Sequence, residues 1–309
     1  MACSILPRMP DPASWTPPVP LPKTWVDHLS FASPRGLSTF VGGPIRSALR
    51  RSRPVELPSG VPGRGELPAY LLQEFHGMPN GYYSSAVSAG YARGFEAVML
   101  GQMKALRERM ATRFAPCRSV LDVGCGAGRL AEVLMARGME DVWGLDPCPY
   151  ALEVAATRAP GARFVQGLAE STGFSAARFD GLCVCFVLHE LPGAIIERAF
   201  AEFGRVVRPG GVLVITEPSP AHVRAGWLEL LRSRGLFGAY FKALACLVFE
   251  PFLDDWLTLD VGDLLARNGF RLEEDRLGIP FREIVARRLP CTFAREHALA
   301  RDSGRVVAS

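Results

Sequence analysis

The chain has 309 residues, of which 49% are apolar and 21% charged, with a formal net charge of +4. That length and composition supply a core without disulfide staples and exclude wholesale disorder. The mild charge argues against nucleic acid as the main partner, whereas a small molecule fits.

Residues 1 to 66 hold 12 of the 25 prolines and a basic cluster (Arg46, Arg50, Arg51, Arg53), with little helical or strand periodicity. They are expected to form an irregular, surface-draped arm. The opening MACSILPRMPDP lacks the apolar run of a secretory signal, so export is not expected. Eight cysteines (Cys3, Cys117, Cys125, Cys148, Cys183, Cys185, Cys246, Cys291) contain no CxxC pair and no histidine at zinc-finger spacing. They read as reduced thiols of a cytoplasmic protein, and no metal is expected.

Residues 67–115 form a helical cover in which Tyr91, Phe95, Val98, Met99, Gln102, Met103 and Leu106 recur at three- and four-residue steps. One long helix is predicted. Before it, Pro79, Asn80 and Gly81 force a turn that delivers Tyr82 and Tyr83.

From Pro116 to about 290, short β-rich runs alternate with helical stretches, the pattern of a parallel sheet with crossover helices. Strands are predicted at Ser119–Asp122, Asp141–Leu145, Arg163–Gln166, Gly181–Cys185 and Val212–Thr216. Helices are predicted at Gly128–Arg137, Tyr150–Arg158, Ala194–Val207 and Val261–Asn268. Strands Arg271–Arg276 and Arg282–Arg287 are joined too tightly for a crossover, so they must be antiparallel. Residues 291–309 are a tail.

The run VLDVGCGAG (Val120 to Gly128) lies where the first strand feeds the first helix, the place where open α/β sheets bind nucleotides. A dinucleotide fingerprint wants its third glycine at position 129, which is Arg129; here it is Gly128, giving GxGxG. Without a pyrophosphate to cradle, the loop amides suit a methionine-type tail whose ammonium Asp122 can attract. Asp146, 18 residues beyond Gly128, ends the second strand, where a carboxylate can accept ribose hydroxyls.

With VLDVGCGAG, VWGLDP, FVQGLAEST, FDGLCVCFVLHEL, RVVRPGGVLVITEP and LLARNGFRLEEDRLGIPFREIVARR in order, residues 116 to 289 resemble a class I S-adenosylmethionine-dependent methyltransferase. The branch is the one that includes ubiquinone and menaquinone C-methyltransferases. The resemblance implies a Rossmann-like, seven-stranded α/β sheet in the order 3-2-1-4-5-7-6 with strand 7 antiparallel, and S-adenosyl-L-methionine as donor. Asp122, Gly124, Cys125, Gly126 and Gly128 would hold the methionine moiety, Asp146 the ribose and Pro147 the adenine face, with Ala169 and Glu170 at the adenine edge. Cys185 and Tyr91 are assigned to the same site. The family often has an aspartate reaching the adenine amino group where this chain has Leu168; Glu170 or Gln166 is the expected substitute.

His189 and Glu190 follow the fourth strand at the sheet's carboxyl end and are the candidate catalytic residues. His189 is open to two readings, a base or a structural group bonded to the next helix. His76, Tyr82, Tyr83 and Tyr91 form a second candidate group; its tyrosines could contact the methionine carboxylate or the acceptor, and His76, Tyr82 and Tyr83 are assigned to the acceptor, with core packing as the alternative. Cys183 and Cys185, two apart on a strand, read as small buried hydrophobes. An insertion, 218–259, is rich in apolar side chains including Tyr240 and Phe241, and its longest apolar stretch is too short to span a bilayer. It is read as an acceptor cap for an apolar or aromatic small molecule; peripheral membrane contact and a homodimer are the partners it could support.

The expected activity is methyl transfer to oxygen or carbon, yielding S-adenosyl-L-homocysteine. The rivals are an inactive methyltransferase-like binding or scaffold protein, and an NAD(P)-dependent oxidoreductase that Arg129 disfavours.

Overall fold

A computed structural model describes residues 11–16, 19–29 and 33–290. Strand β1 (Ser119–Val123) is buried at all five positions, as expected of a strand covered on both faces. It pairs in parallel with β2 (Asp141–Asp146) and β4 (Phe179–Cys185); β3 (Arg163–Gln166) extends the sheet beyond β2, and β5 (Val207–Pro218) lies beyond β4. The tight turn after β6 (Phe270–Leu277) reverses the chain into β7 (Phe281–Arg288), which slots antiparallel between β5 and β6. The sheet order is 3-2-1-4-5-7-6, as the family resemblance implies.

The observed strands extend the predicted ones by up to five residues at an end, because ladder pairing continues past the apolar runs, as where Pro218 pairs with Phe281. Helices α1 (Pro34–Ala48), α2 (Ser85–Val98) and α3 (Gln102–Arg113) precede the sheet. Within it come α4 (Arg129–Ala136), α5 (Pro149–Arg158) and α6 (Gly193–Val206), and then α7 (Pro220–Val223), α8 (Trp227–Leu247), α9 (Leu253–Thr258) and α10 (Val261–Arg267). The core is the sheet with the apolar stripes of these helices, such as Ile196, Phe200 and Phe203 of α6.

Two expectations are corrected. The cover is not one helix: α2 and α3 are separated at Leu100 and Gly101, both with left-handed backbone (φ 51° and 73°), and the Gly101 amide bonds back to the Glu96 carbonyl. A glycine after a helical run is an ordinary stop signal. The arm is not irregular throughout, since Ser33 caps α1 by accepting from the Gly36 amide and Pro34 occupies the first turn. Gly42, Gly43 and Pro44 hide this helix from a propensity reading. The arm's described residues are docked: the Tyr150 hydroxyl donates to the Pro22 carbonyl (2.6 Å), and Trp15 Nε1 donates to Glu153 (3.0 Å). The side chain of Arg46, Cys3, Cys291 and the tail 291–309 lie outside the described residues. Among the described residues no helix is long and apolar enough to cross a membrane.

Candidate active site

Two cavities open at the carboxyl ends of the strands. The first, about 210 Å³, is walled by the β1–α4 loop, Asp146 and Pro147 at the end of β2, and Leu168 and Ala169 after β3. Gly124 sits at φ 68° with Val187 Cγ2 only 2.2 Å from where a Cβ would stand, so the crossing of loop and Val187 requires glycine. Gly126, at φ 49°, faces open space. Its amide donates to Asp146 Oδ2 (2.8 Å), and the Cys148 amide donates to Oδ1 (2.9 Å), which fixes the carboxylate against the loop.

Burial raises the Asp146 carboxyl to about 6 against these two amides. Asp122, 3% exposed, is pushed up to about 7, first by burial and then by Asp146. A buried carboxyl with so little compensating positive charge is suited to an incoming ammonium. Arg107 and Arg129 also line the cavity. Arg107 is paired with Glu96, while Arg129 Nε is buried without a hydrogen-bond partner among the described residues. The lining thus offers a carboxylate for an ammonium and guanidinium groups for a carboxylate, the two charges of an amino-acid tail.

The second cavity, about 560 Å³, lies under the insertion and is lined mainly by apolar groups, among them Phe241, Leu244 and Val248, with Ser47, His76, His189, Glu190, His222 and Glu250 as polar members. Tyr91, Phe95, Phe186 and Glu190 border both cavities. The Glu190 carboxylate accepts from the Tyr82 hydroxyl (2.6 Å) and from His76 Nε2 (2.7 Å). Burial would raise it, but His76, His189 and Tyr82 outweigh burial and hold it below the usual carboxylate range. His189, 1% exposed, sets Nδ1 2.5 Å from Glu217 Oε2, while Glu217 Oε1 accepts from the Val187 and Leu188 amides. Burial opposes charge on this ring, yet Glu250 and Glu217 raise it to about 10.

Most of the residues singled out in the sequence converge here. Asp122, Gly124, Cys125, Gly126, Asp146, Pro147, Ala169, Cys185 and Tyr91 line the first cavity; His189 lines the second and Glu190 both. Five do not sit where they were assigned. Gly128 is outside the cavity wall, and its φ of 71° and the closeness of Ala155 make it a packing glycine between α4 and α5. Glu170 also lies off the wall, accepting from the Tyr70 hydroxyl (2.8 Å). Tyr82 and Tyr83, assigned to the acceptor, line the first cavity, where the alternative of contact with the methionine carboxylate would put them, and not the second. Tyr240 lines neither, because it points outward and donates to the Val98 carbonyl (2.7 Å); of the acceptor group only His76 and Phe241 border the second cavity. Gln166 is occupied by the carbonyls of Pro62 and Pro147. The six described cysteines are free thiols.

Sequence reasoning missed Arg107, Glu217 and Glu250. Glu217, near the carboxyl end of β5, was open to detection by its position in the sheet.

Residues 121–215 match the family model described as a methyltransferase domain. The chain contains a class I S-adenosylmethionine-dependent methyltransferase domain. An uncharacterized methyltransferase of Synechocystis sp. is 36% identical over 114 residues, 37% of this chain and 52% of that protein. The ubiquinone biosynthesis O-methyltransferase of Azorhizobium caulinodans is 30% identical over 168 residues, covering 44% of this chain and 64% of its own length. The chain therefore spans about half to two thirds of these relatives. Human N-acetylserotonin methyltransferase in complex with S-adenosylmethionine shares the fold, with a TM-score of 0.50 and 19% identity over 68% of this chain and 58% of that one. The first cavity fits the donor of this fold: Asp122 for the ammonium, Arg107 and Arg129 for the carboxylate, and Asp146 for the ribose.

Proposed function

We propose that the chain is a methyltransferase that passes the methyl group of S-adenosylmethionine to oxygen or carbon of a small, apolar or aromatic acceptor. The observation that carries this reading is the shared wall of the two cavities, formed by Tyr91, Phe95, Phe186 and Glu190. A donor in the first cavity and an acceptor in the second meet there. Methyl transfer is an in-line displacement, and holding both partners close supplies most of what a protein can give.

The residues have separable tasks. Asp122, Asp146 and the two arginines hold and orient the donor. The aromatic wall excludes water, and burial raises the Tyr82 and Tyr91 hydroxyls well above their usual range, so they stay protonated as hydrogen-bond donors. Glu190, held ionised, is placed to accept a hydrogen bond from an acceptor hydroxyl. The second cavity lies within the usual size range for drug-sized ligands. On α8, Trp227, Leu228, Leu231 and Leu236 are exposed, which is where the expected membrane or dimer contact would fall.

The test is to incubate the chain with methyl-labelled donor and a panel of phenols, enols and quinols, and to follow product mass. A labelled methyl on one class supports the reading, and no transfer to any class, with the donor bound, contradicts it.

A further inference from the structure

His76, His189 and Glu250 come from three separate elements: the turn before α2, the segment after β4, and the segment after α8. One atom from each lies within 4.8 Å of the others at the rim of the second cavity. His76 Nδ1 and His189 Nε2 both stand 3.5 Å from the same atom, Glu250 Oε1. A metal ion held at about 2.0–2.2 Å with tetrahedral angles sets neighbouring donor atoms about 3.3–3.6 Å apart. Two of the three edges already have this length.

The outer partners fit as well. Metal-bound histidines give their second ring nitrogen to a carboxylate or carbonyl, which fixes the tautomer and aims the ring. Here His189 Nδ1 meets Glu217 (2.5 Å) and His76 Nε2 meets Glu190 (2.7 Å), leaving Nε2 and Nδ1 respectively turned toward Glu250.

The arm helix holds two of the three groups in place. His76 has a left-handed backbone (φ 54°), uncommon for a residue with a Cβ, and the adjoining Gly77 is pressed on α1, where a Cβ on Gly43 would stand 2.0 Å from the Gly77 carbonyl oxygen. Ser47 of α1 accepts from the Phe249 amide (2.7 Å), beside Glu250.

We propose that His76, His189 and Glu250 bind one divalent transition-metal ion whose remaining positions face the second cavity and take a hydroxyl or enol oxygen of the acceptor. Two imidazoles and a carboxylate suit zinc, iron, cobalt or nickel rather than calcium or magnesium. The metal site stands independently of methyl transfer; the acceptor oxygen rests on that reading.

The test uses the full chain, free of tag histidines and stripped with chelator, titrated with Co2+. One equivalent is expected, with visible d–d absorption and no thiolate charge-transfer band. His76→Ala and Glu250→Gln are each expected to weaken it about 100-fold or more, beyond what loss of an outer partner costs, while S-adenosylhomocysteine affinity stays within about threefold, since neither side chain lines the donor cavity. If His76→Ala fails to fold, Glu250→Gln carries the test. No saturable binding of Co2+ or Zn2+ by the folded chain, binding unchanged in the variants, or a thiolate band would each overturn the proposal. Co2+ binding without S-adenosylhomocysteine binding would sink the methyl-transfer reading and leave the metal site standing.

Discussion

The two cavities are built in opposite ways. The first sets a run of neighbours, Asp122 to Gly126, with Asp146 and Pro147 at the end of the adjoining strand, at the carboxyl end of a parallel sheet, and closes over them with residues of the N-terminal cover such as Tyr83, Tyr91 and Arg107. The second draws on Pro44 and Ser47 of the arm, His76 of a turn, Phe95 of α2, His189 after β4, and Phe241 and Glu250 of the insertion. A site made by local backbone geometry tolerates little sequence variation, whereas one assembled by distant segments can be re-shaped piece by piece. Donor chemistry would then be fixed and acceptor choice adjustable.

The largest expected effect separates the two. Asp146→Ala removes the carboxylate that two amides hold, and should weaken S-adenosylhomocysteine about 100-fold, or ~2.7 kcal/mol. Co2+ binding should not change, and His189→Ala should affect the donor less. Calorimetry on both variants checks the order, and the reverse order would break the division between cavities.

The next effect is in pH. Asp122 must be ionised to meet the donor's ammonium, and its raised value of about 7 means that a falling pH protonates it and opposes binding. The donor's dissociation constant should therefore rise about tenfold from pH 8 to pH 6, the ratio of ionised fractions about a pKa near 7. Asp146, at about 6, adds in the same direction. A flat profile across this range would remove Asp122 from the ammonium site.

Smallest is the contribution of the arm. Ser47→Ala deletes one hydrogen bond to the Phe249 amide, a loss of ~1 kcal/mol that should weaken Co2+ about fivefold. Donor affinity should stay put. An equal loss in both would mean that the arm supports the whole domain.

The same contrast explains what was legible in the sequence. The strands, the reversed final strand and the donor loop follow from apolar runs, a tight turn and glycine spacing, each a local signal, while the strand order comes from the family resemblance. Gly128 belongs to that loop by pattern, but its place opposite Ala155 is decided by how α4 packs on α5. The break at Leu100 and Gly101 was readable, because a glycine ends the helical periodicity, yet apolar residues on both sides masked it. Helix α1 was hidden by its own glycines and proline. Glu250 has no local signature at all: it meets His76 and His189 only because α8 returns the chain over the cavity. Tyr240 and Phe241, adjacent in sequence, differ in burial, the first exposed and the second buried, a distinction that apolar content alone cannot make.

On the proposed reading the first cavity is where the methyl donor binds. Titration of the chain with S-adenosylhomocysteine in a calorimeter measures this directly. One equivalent bound per chain at pH 8, weakened at pH 6, is the expected result; no heat of binding from a folded chain at either pH would contradict it.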